Sequence, residues 1–177
     1  MVDYNRIISS IQRSRDFARP NRFIVDFQLP SKVSASFDND LLSLNCASAI
    51  VPGRAFDIAE TSYSGGYRHK KALSTQFTDL ECSFYLSEDL IEKQIFDTWQ
   101  TFIFDSSYQV SAYPDDYYAD ITVHKISKGK DDEIMASYTF VNAFPINVQD
   151  LAQSYESEST IDVLPVTFSY HRWFYSS

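Results

Sequence analysis

The chain has 177 residues, with 44% hydrophobic and 22% charged side chains and a formal net charge of −9 at pH 7. This length suits a single domain that buries about 70% of the surface of its unfolded chain. The acidic balance disfavours a protein that grips nucleic acid, because such proteins bind through lysine and arginine. No apolar run reaches the roughly 20 residues of a membrane span and no secretory signal opens the chain, so we expect synthesis in the cytosol without membrane insertion.

An N-terminal arm is predicted over residues 1–21. Apolar residues recur at near-helical spacing between Ile7 and Phe17, which indicates a short amphipathic helix that ends before Pro20. Residues 1–30 carry five arginines and three aspartates, whereas the rest of the chain is strongly acidic. The arm therefore differs in charge from the body of the domain.

Strands and loops alternate from the arm to residue 72. Residues 22–28 and 41–50 are predicted strands because apolar residues alternate with polar ones, and the polar residues 31–40 form a loop between them. Over residues 54–72 the alternation fades. Gly65-Gly66 and the basic run that follows favour a long exposed loop there.

The clearest strand, residues 75–85, precedes the only strong helix, residues 87–104. One face of the strand carries Leu80, Cys82 and Phe84, and the other carries Asp79, Glu81 and Ser83. Ser87 is the expected N-cap of the helix, and two acidic residues follow it. An apolar stripe then runs from Ile91 to Phe102, which predicts a helix packed on one side.

The C-terminal third predicts more antiparallel structure. Tyr113–Tyr118 is a predicted turn, residues 119–126 and 133–143 are the arms of a hairpin, and residues 161–175 form a last strand. The whole chain therefore predicts a mainly β domain, a β-sandwich or barrel of six to seven strands with one flanking α-helix and the N-terminal arm. A small sheet has edges that invite pairing with other subunits.

The sequence holds no recognisable catalytic, metal-binding or cofactor-binding constellation. Cys46 and Cys82 lack CxxC spacing and predict buried free thiols, and the three histidines lie far apart. Asp115-Asp116 and Asp131-Asp132 lack the spacing of a calcium loop and are interpreted as solvated turns. We therefore expect no enzyme activity. The alternative is an enzyme whose carboxylates meet only in the folded chain.

Aromatic residues have two possible roles. The tyrosines considered are Tyr113, Tyr117, Tyr118, Tyr138, Tyr155, Tyr170 and Tyr175. They could form a stacking platform for single-stranded nucleic acid or a sugar site. Because few lysines or arginines accompany them, packing and protein–protein contact are favoured.

Several segments, in order and spacing, resemble the tail tube protein family of T-even-like contractile-tailed bacteriophages. They are Phe17–Phe23, Cys46–Arg54, Phe77-Thr78-Asp79, the helix that ends near Trp99, Tyr113–Tyr118, Phe144-Pro145 and Val166–Tyr170 with Trp173. The likeness covers nearly the whole length of residues 1–177 as one domain, although the segment after Arg54 is hard to align.

The resemblance implies a structural protomer of a bacteriophage tail tube. In that family six copies form a ring whose inner strands join into one barrel, and rings stack into the tube inside a contractile sheath. The implied partners are further copies of the chain, the tail sheath protein, and baseplate and tail terminator proteins, while DNA passes through the lumen without specific binding. The implied location is the virion tail, assembled in the host bacterial cytoplasm.

Two sets of residues are candidates for contacts in such an assembly. The first set, expected at interfaces between subunits or rings because it is locally basic and would meet an acidic body, comprises Phe17, Arg19, Pro20, Asn21, Arg54, Arg68, Lys70 and Lys71. The second set, expected to face the lumen, comprises Asp79, Glu81 and Ser83. A basic lining would trap phosphates, so an acidic one suits passing DNA.

Two other functions remain open. The chain could be the tube or tube-initiator protein of another contractile injection system, which would share the same fold. It could also be a monomeric β-barrel that binds a small molecule or carbohydrate. Polymerisation at high concentration separates the second alternative from a tube protein.

Overall fold

The computed structural model describes residues 19–35, 37, 39–62, 68–127, 133–151 and 161–176. Most of these residues lie in antiparallel strands. In chain order the strands are β1 (Phe23–Gln28), β2 (Cys46–Ile50), β3 (Arg54–Ser62), β4 (Arg68–Phe77), β5 (Leu80–Tyr85), β6 (Phe104–Asp105), β7 (Val110–Ser111), β8 (Ala119–Ile126), β9 (Ile134–Val148), β10 (Val163–Ser169) and β11 (Arg172–Ser176). The helices are α1 (Ser31–Ser34), α2 (Asn39–Leu44), α3 (Ile91–Ile103) and α4 (Pro114–Tyr117).

Seven strands form the main sheet, in the order β1-β8-β9-β10-β5-β2 with β11 paired to β9. The first part of β9 lies between β8 and β11, whereas its last part pairs with β10. The long strand β9 therefore joins two layers of sheet. This arrangement confirms the predicted mainly β sandwich or barrel of six to seven strands with a helix on its flank.

Asn142 marks the bend in β9 where the strand changes partners. Its φ is 57°, in the left-handed region that asparagine tolerates better than most residues. The Asp120 side chain accepts a 3.1 Å hydrogen bond from the Asn142 backbone N–H. The strand predicted to end at residue 143 thus turns and continues to Val148.

The core lies between the two layers and is rich in aromatic rings. The fully buried rings are Phe27, Phe84, Phe96, Trp99, Phe140 and Phe168. Ring centroids of Phe84 and Phe96 are 5.0 Å apart, and those of Phe96 and Phe168 are 5.9 Å apart. Burying each such ring stabilises the fold by about 1.5–3 kcal/mol relative to leaving it exposed.

The helix α3 covers this core, as its apolar stripe predicts. Ile95 and Trp99 are fully buried, and the Trp99 indole N–H donates a 2.9 Å hydrogen bond to the Tyr117 carbonyl. The helix begins at Ile91, four residues later than the predicted start at Ser87. Ser87 is not its N-cap, because the Ser87 hydroxyl donates to the Glu92 carboxylate instead.

Two predictions for the segment after β1 are wrong. Within the predicted loop 31–40 the chain forms α1, and within the predicted strand 41–50 it forms the end of α2 before β2 begins at Cys46. Leu42 is completely buried where α2 packs against β1. Packing on that strand outweighs the local alternation of apolar residues.

The predicted long loop 54–72 is also wrong. The chain forms the strands β3 and β4 there, paired from Arg54 opposite Phe77 to Ser62 opposite Arg68 with a register shift between Asp57 and Ile58. Charged residues of this segment occupy strand positions because they pair across the hairpin, as Arg68 and Lys70 do with Glu60, rather than pack in a core. Gly65-Gly66 between the two strands is the sequence signal typical of a hairpin connection.

Other predicted elements agree closely with the structure. The predicted arm 119–126 is β8, and β9 begins at Ile134, one residue after the predicted start. The predicted last strand 161–175 is divided into β10 and β11. Cys46 and Cys82 are both free, although only Cys82 is buried. The helix predicted within residues 4–17 lies outside the described residues.

None of the described helices is long and apolar enough to cross a membrane.

Candidate assembly surface

The β3–β4 hairpin is the most exposed part of the described chain. It forms its own two-stranded sheet, and every residue of β4 is exposed. Its apolar side chains at the surface are Phe56, Ile58, Leu73 and Phe77. A row of exposed apolar side chains of this kind marks a surface that contacts another molecule.

Three of the predicted interface residues lie on β4. The Arg68 guanidinium and the Lys70 amine lie 3.2 and 3.5 Å from the Glu60 carboxylate on β3. Lys71 lies opposite Ala59. Such exposed pairs contribute at most about 1 kcal/mol each, so their charges remain available to a partner. The structure therefore brings Arg68 and Lys70 together beside Glu60, whereas Lys71, the next residue along β4, lies on the opposite face of the hairpin.

Arg54 lies at the other end of the hairpin. Its guanidinium carbon is 4.9 Å from the ring centroid of Trp173 on β11 and 5.7 Å from that of Phe77 on β4. This cation–π stacking joins the base of the hairpin to the main sheet. Within the protomer, Arg54 thus orients the hairpin.

Arg19, Pro20 and Asn21 lie just before β1. All three are exposed, and the Lys125 amine donates a hydrogen bond to the Arg19 carbonyl. These residues lead directly into β1, on a different element from the hairpin. The predicted interface residue Phe17 lies outside the described residues.

The predicted lumen residues fall on two elements. Glu81 and Ser83 lie on the outward face of β5, alternating with the buried Leu80, Cys82 and Phe84, as predicted. Asp79 is exposed, in the short connection between β4 and β5. Burial of the Tyr170 side chain, together with the nearby Asp79 carboxylate, raises the pKa of Tyr170 to about 12.

The face around Glu81 and Ser83 extends over four strands. Directly opposed residues of paired strands point to the same side of a sheet. By register, this β5 face also holds Ser48 and Ile50 of β2, Pro165 and Thr167 of β10, and Asn147 of β9. Among these seven residues Glu81 carries the only charge. The face is therefore weakly acidic and rich in hydroxyl groups.

Five of the seven tyrosines considered, Tyr117, Tyr118, Tyr138, Tyr170 and Tyr175, pack against other rings, whereas Tyr113 is exposed. The Tyr117 and Tyr118 rings lie 5.5 and 5.9 Å from that of Phe144. The Tyr138 ring lies 5.9 Å from that of Trp173 and 5.4 Å from that of Tyr175. Tyr155 lies outside the described residues.

His124 and the two cysteines have partners within the fold. In the described part of the chain, no group of three or more histidine, cysteine, aspartate or glutamate side chains could hold a metal ion. His124 shares a 2.8 Å hydrogen bond with Ser137 on the neighbouring strand. The neighbouring Cys46 thiol, together with burial, holds the pKa of Cys82 well above its ordinary value, which favours an inert thiol.

Sequence reasoning missed the apolar residues of the hairpin. Phe56 and Ile58 alternate with polar residues, and Glu60 and Lys70 supply the opposite charges of a cross-strand pair. Together with the glycine pair they were a signal for a hairpin. The basic residues of this segment instead favoured its interpretation as an exposed loop.

Solved structures with the same fold come from contractile injection systems. A chain of the sheath/tube terminator of the extracellular contractile injection system PVC gives a TM-score of 0.68 at 18% identity, covering 93% of this chain and 100% of that one. A chain of the anti-feeding prophage tube-terminating cap gives 0.69 at 20% identity, covering 93% of each. A chain of the PVC sheath-tube complex gives 0.65 at 16% identity, covering 100% of this chain and 99% of that one.

The sequence itself matches a family model. No curated protein sequence matches the chain. The model described as phage tail tube protein matches residues 18–176, which include all described strands. This match confirms the resemblance seen in the sequence and spans far more than half of the chain. The chain belongs to the phage tail tube protein family.

Proposed function

We propose that this chain is the structural protomer of the tail tube of a T-even-like contractile-tailed bacteriophage. Six copies form a ring, and stacked rings form the inner tube that conducts DNA into the host. The observation that carries the proposal is the β3–β4 hairpin, which exposes apolar residues that a monomer leaves in water. The role is structural rather than enzymatic.

The open strand edges support ring formation. Among the described strands, β11 pairs only with β9, and its Phe174 and Tyr175 side chains are exposed. Within the same described part of the chain, the hairpin strands β3 and β4 pair only with each other. Unpaired backbone N–H and C=O groups along these edges favour pairing with another chain, and copies of the same chain are the partners available at highest local concentration.

The weakly acidic β5 face, with Glu81 and Ser83, supports a DNA-conducting lumen. A lining that carries lysine or arginine would hold phosphates by releasing their counterions, which slows passage. The seven residues of the β5 face include neither. We place this face toward the lumen, where Asp79 extends the acidic surface at the end of β4.

The partners follow from this role. The outer wall of the tube contacts the tail sheath protein, and its two ends contact baseplate and tail terminator proteins. The protein functions in the virion tail after assembly in the host bacterial cytoplasm. The solved relatives come from a sheath-tube complex, a baseplate and a tube-terminating cap, which supports partners of these three kinds.

A second candidate is a tube or terminator protein of another contractile injection system. The observation that favours it is that chains from two terminator structures give TM-scores of 0.68 and 0.69. The two functions differ in what passes through the lumen and in how long a tube the isolated protein forms. A terminator stops growth, so it forms single rings rather than long tubes.

Sedimentation velocity and negative-stain electron microscopy of the purified chain test the proposal. We expect rings and tubes for the native chain. Leu73, which is 72% exposed on the hairpin, is the residue to change. Leu73→Asp should leave a folded monomer and reduce polymerisation at least about tenfold, because a buried charge without a partner destabilises an interface.

Leu44 provides the matched control. It is 82% exposed at the end of α2, away from the hairpin, so Leu44→Asp makes the same chemical change elsewhere. We expect tubes from this variant. A native chain that remains monomeric at every concentration would contradict the tube function, and equal polymerisation by both variants would remove the hairpin from the interface.

A further inference from the structure

An open groove of about 880 Å³ lies beside the C-terminal half of α3. The β6–β7 hairpin and the residues that lead into α4 form its other walls. Its apolar lining includes Phe102, Tyr108, Val110 and Tyr113. Tyr108 and Tyr113 are 80% and 82% exposed, so two whole aromatic side chains stand in water in the protomer. Exposed tyrosines around a groove are typical of a surface that binds a protein segment.

Carboxylates surround this groove. Asp97, Asp105 and Asp116 line it, and Lys32 is its one lysine or arginine. The Lys32 amine lies 4.5 Å from the centre of the Phe102 ring and so stacks on the wall. The Asp116 carboxylate has no hydrogen-bond or ion-pair partner among the described residues. The groove therefore suits a segment that is both apolar and basic.

The N-terminal arm contains a segment of this chemistry. Residues 6–15 carry Arg6, Arg13 and Arg15 and no acidic residue, and they include the three isoleucines of the arm. Elsewhere in the sequence the basic run 68–71 has no large aliphatic residue within it, and the basic segment 121–130 buries its Ile121 and Val123 in the core. Residues 1–18 precede the first described residue, so they are long enough, at about 27 Å if helical, to fill a groove of this size.

The groove and the residue at which the arm joins the domain lie at opposite ends of the same strand pair. Arg19, where the arm joins the domain, is held by Lys125 near the Phe23 end of β1. The groove residue Lys32 follows the Gln28 end of β1, which pairs with Asp120 at the start of β8. Five strand steps, roughly 17 Å, separate these two ends. A donor segment and its acceptor at opposite ends of a subunit produce head-to-tail contacts between copies.

We propose that the N-terminal arm of one copy docks in the α3 groove of the next copy. The arm's isoleucines cover Phe102, Tyr108 and Tyr113, and its arginines pair with the carboxylates of the rim. This proposal rests on the proposed function, since it assigns one of the contacts between successive copies in the tube. The arm and the groove then make a repeating contact that does not close on itself, as a filament requires.

Disulfide cross-linking between two tagged copies tests this docking. One copy carries Ser14→Cys in the arm and the other carries Thr101→Cys in the groove, and both carry Cys46→Ser and Cys82→Ala to remove the native thiols. Mild oxidation of the mixed tubes should link the two tags. Thr98→Cys supplies a second groove position if the first variant folds poorly. Each single-cysteine copy alone is the control and should remain unlinked.

The outcomes separate this proposal from the tube function. A link between the two tags supports docking between copies. A link formed only when both cysteines lie in one chain, or tubes that form without any link, would overturn the docking while the tube function stands. If the chain forms no tubes at all, the result contradicts the proposed tube function, and with it the docking that rests on that function.

Charge exchange gives an independent measurement. Asp116→Arg alone and Arg13→Glu with Arg15→Glu should each lower the association constant about tenfold in sedimentation at low salt, as loss of close charge pairs does. Combining the changes should restore assembly to within about threefold of the native chain. Additive losses in the combined variant would contradict direct pairing of arm and groove.

Discussion

The Tyr170 hydroxyl donates a 2.7 Å hydrogen bond to the Thr78 backbone carbonyl. Tyr170 lies at the corner between β10 and β11, and Thr78 lies at the base of the exposed hairpin. The Tyr170 ring also packs against Phe140 and Phe77, with centroids 5.0 and 6.2 Å away. Tyr170 therefore acts with Arg54 to fix the direction in which the hairpin leaves the main sheet.

Removing that hydroxyl should loosen the hairpin. Tyr170→Phe keeps the ring packing and loses the hydrogen bond, so the free energy of unfolding should fall by about 1 kcal/mol. Hydrogen exchange of the β3 and β4 amides should accelerate more than exchange in β8. Tyr175→Phe, on the exposed end of β11, is the control and should change neither quantity. Unchanged exchange in Tyr170→Phe would show that Arg54 alone holds the hairpin.

The same residue predicts a dependence on alkaline pH. Burial, with Asp79 nearby, raises the pKa of Tyr170 to about 12, above the value of about 10 for an unperturbed tyrosine. The folded state thus holds this proton more tightly than the unfolded state, and its contribution to stability is complete below about pH 10 and is lost as the pH rises through about 12. Urea unfolding from pH 9 to 12 should show the native chain losing its advantage over Tyr170→Phe in this window.

Glu92 is a buried carboxylate that ties the start of α3 to the end of α2. It accepts hydrogen bonds from the Ser87 backbone N–H at 3.0 Å, the Ser87 hydroxyl at 2.6 Å and the Asn45 amide. Burial favours its neutral form, but these donors outweigh burial and hold the pKa of Glu92 below its ordinary value. The charged carboxylate therefore stabilises the fold.

Glu92→Gln should destabilise the protein at neutral pH by about 1.5–3 kcal/mol, the contribution of a hydrogen bond to a charged group. The pKa of Glu92 in the folded state lies below its unfolded value, which is near 4.3. The stabilisation by the Glu92 carboxylate is therefore complete above about pH 4.3 and is lost as the pH falls through the folded pKa. Urea unfolding of the native chain and of Glu92→Gln at pH 7 and pH 3 measures this stabilisation. Glu88→Gln, an exposed neighbour, is the control. A difference that is as large at pH 3 as at pH 7 would contradict this account.

Local patterns predicted the elements that bury one face. In β5, alternation placed Leu80, Cys82 and Phe84 inside because the period of a strand is two and one face lies on the core. The apolar stripe of α3 was predictable for the same reason, because one side of the helix lies on the core and its buried residues recur at helical spacing. The resemblance then supplied the family, which the match over residues 18–176 confirms.

Elements stabilised by distant contacts have weak local patterns or misleading ones. The segment that forms α2 looked like a strand, because nothing in its sequence shows that it packs on β1. The hairpin β3–β4 has no buried face, so its alternation is weak and its stability depends on cross-strand pairs and on Arg54. The groove beside α3 joins residues from five elements, and no single window of sequence contains it.

The bend of β9 makes a prediction about Asn142. A β-branched residue at its φ of 57° is strained, so Asn142→Val should cost at least about 1–2 kcal/mol. Asn142→Gly should be nearly neutral, since glycine adopts this conformation readily. Asn147→Val on the same strand is the control, because Asn147 is exposed and is not among the residues with positive φ. Chemical unfolding of the three variants measures the differences, and an equal loss in the valine pair would contradict strain at the bend.

Glu81 offers the sharpest test of which face lines the lumen. Glu81→Lys exchanges the only charge of the β5 face, and the side chain is exposed, so the fold should tolerate it. If this face lines a tube, each ring presents a circle of lysines to passing DNA, and purified tubes should retain short double-stranded DNA in a salt-dependent manner. Glu88→Lys makes the same change in net charge on an exposed loop outside the β5 face. Because both variants gain the same charge, DNA retained equally by the two would place Glu81 outside the lumen, whereas retention by Glu81→Lys alone locates it inside.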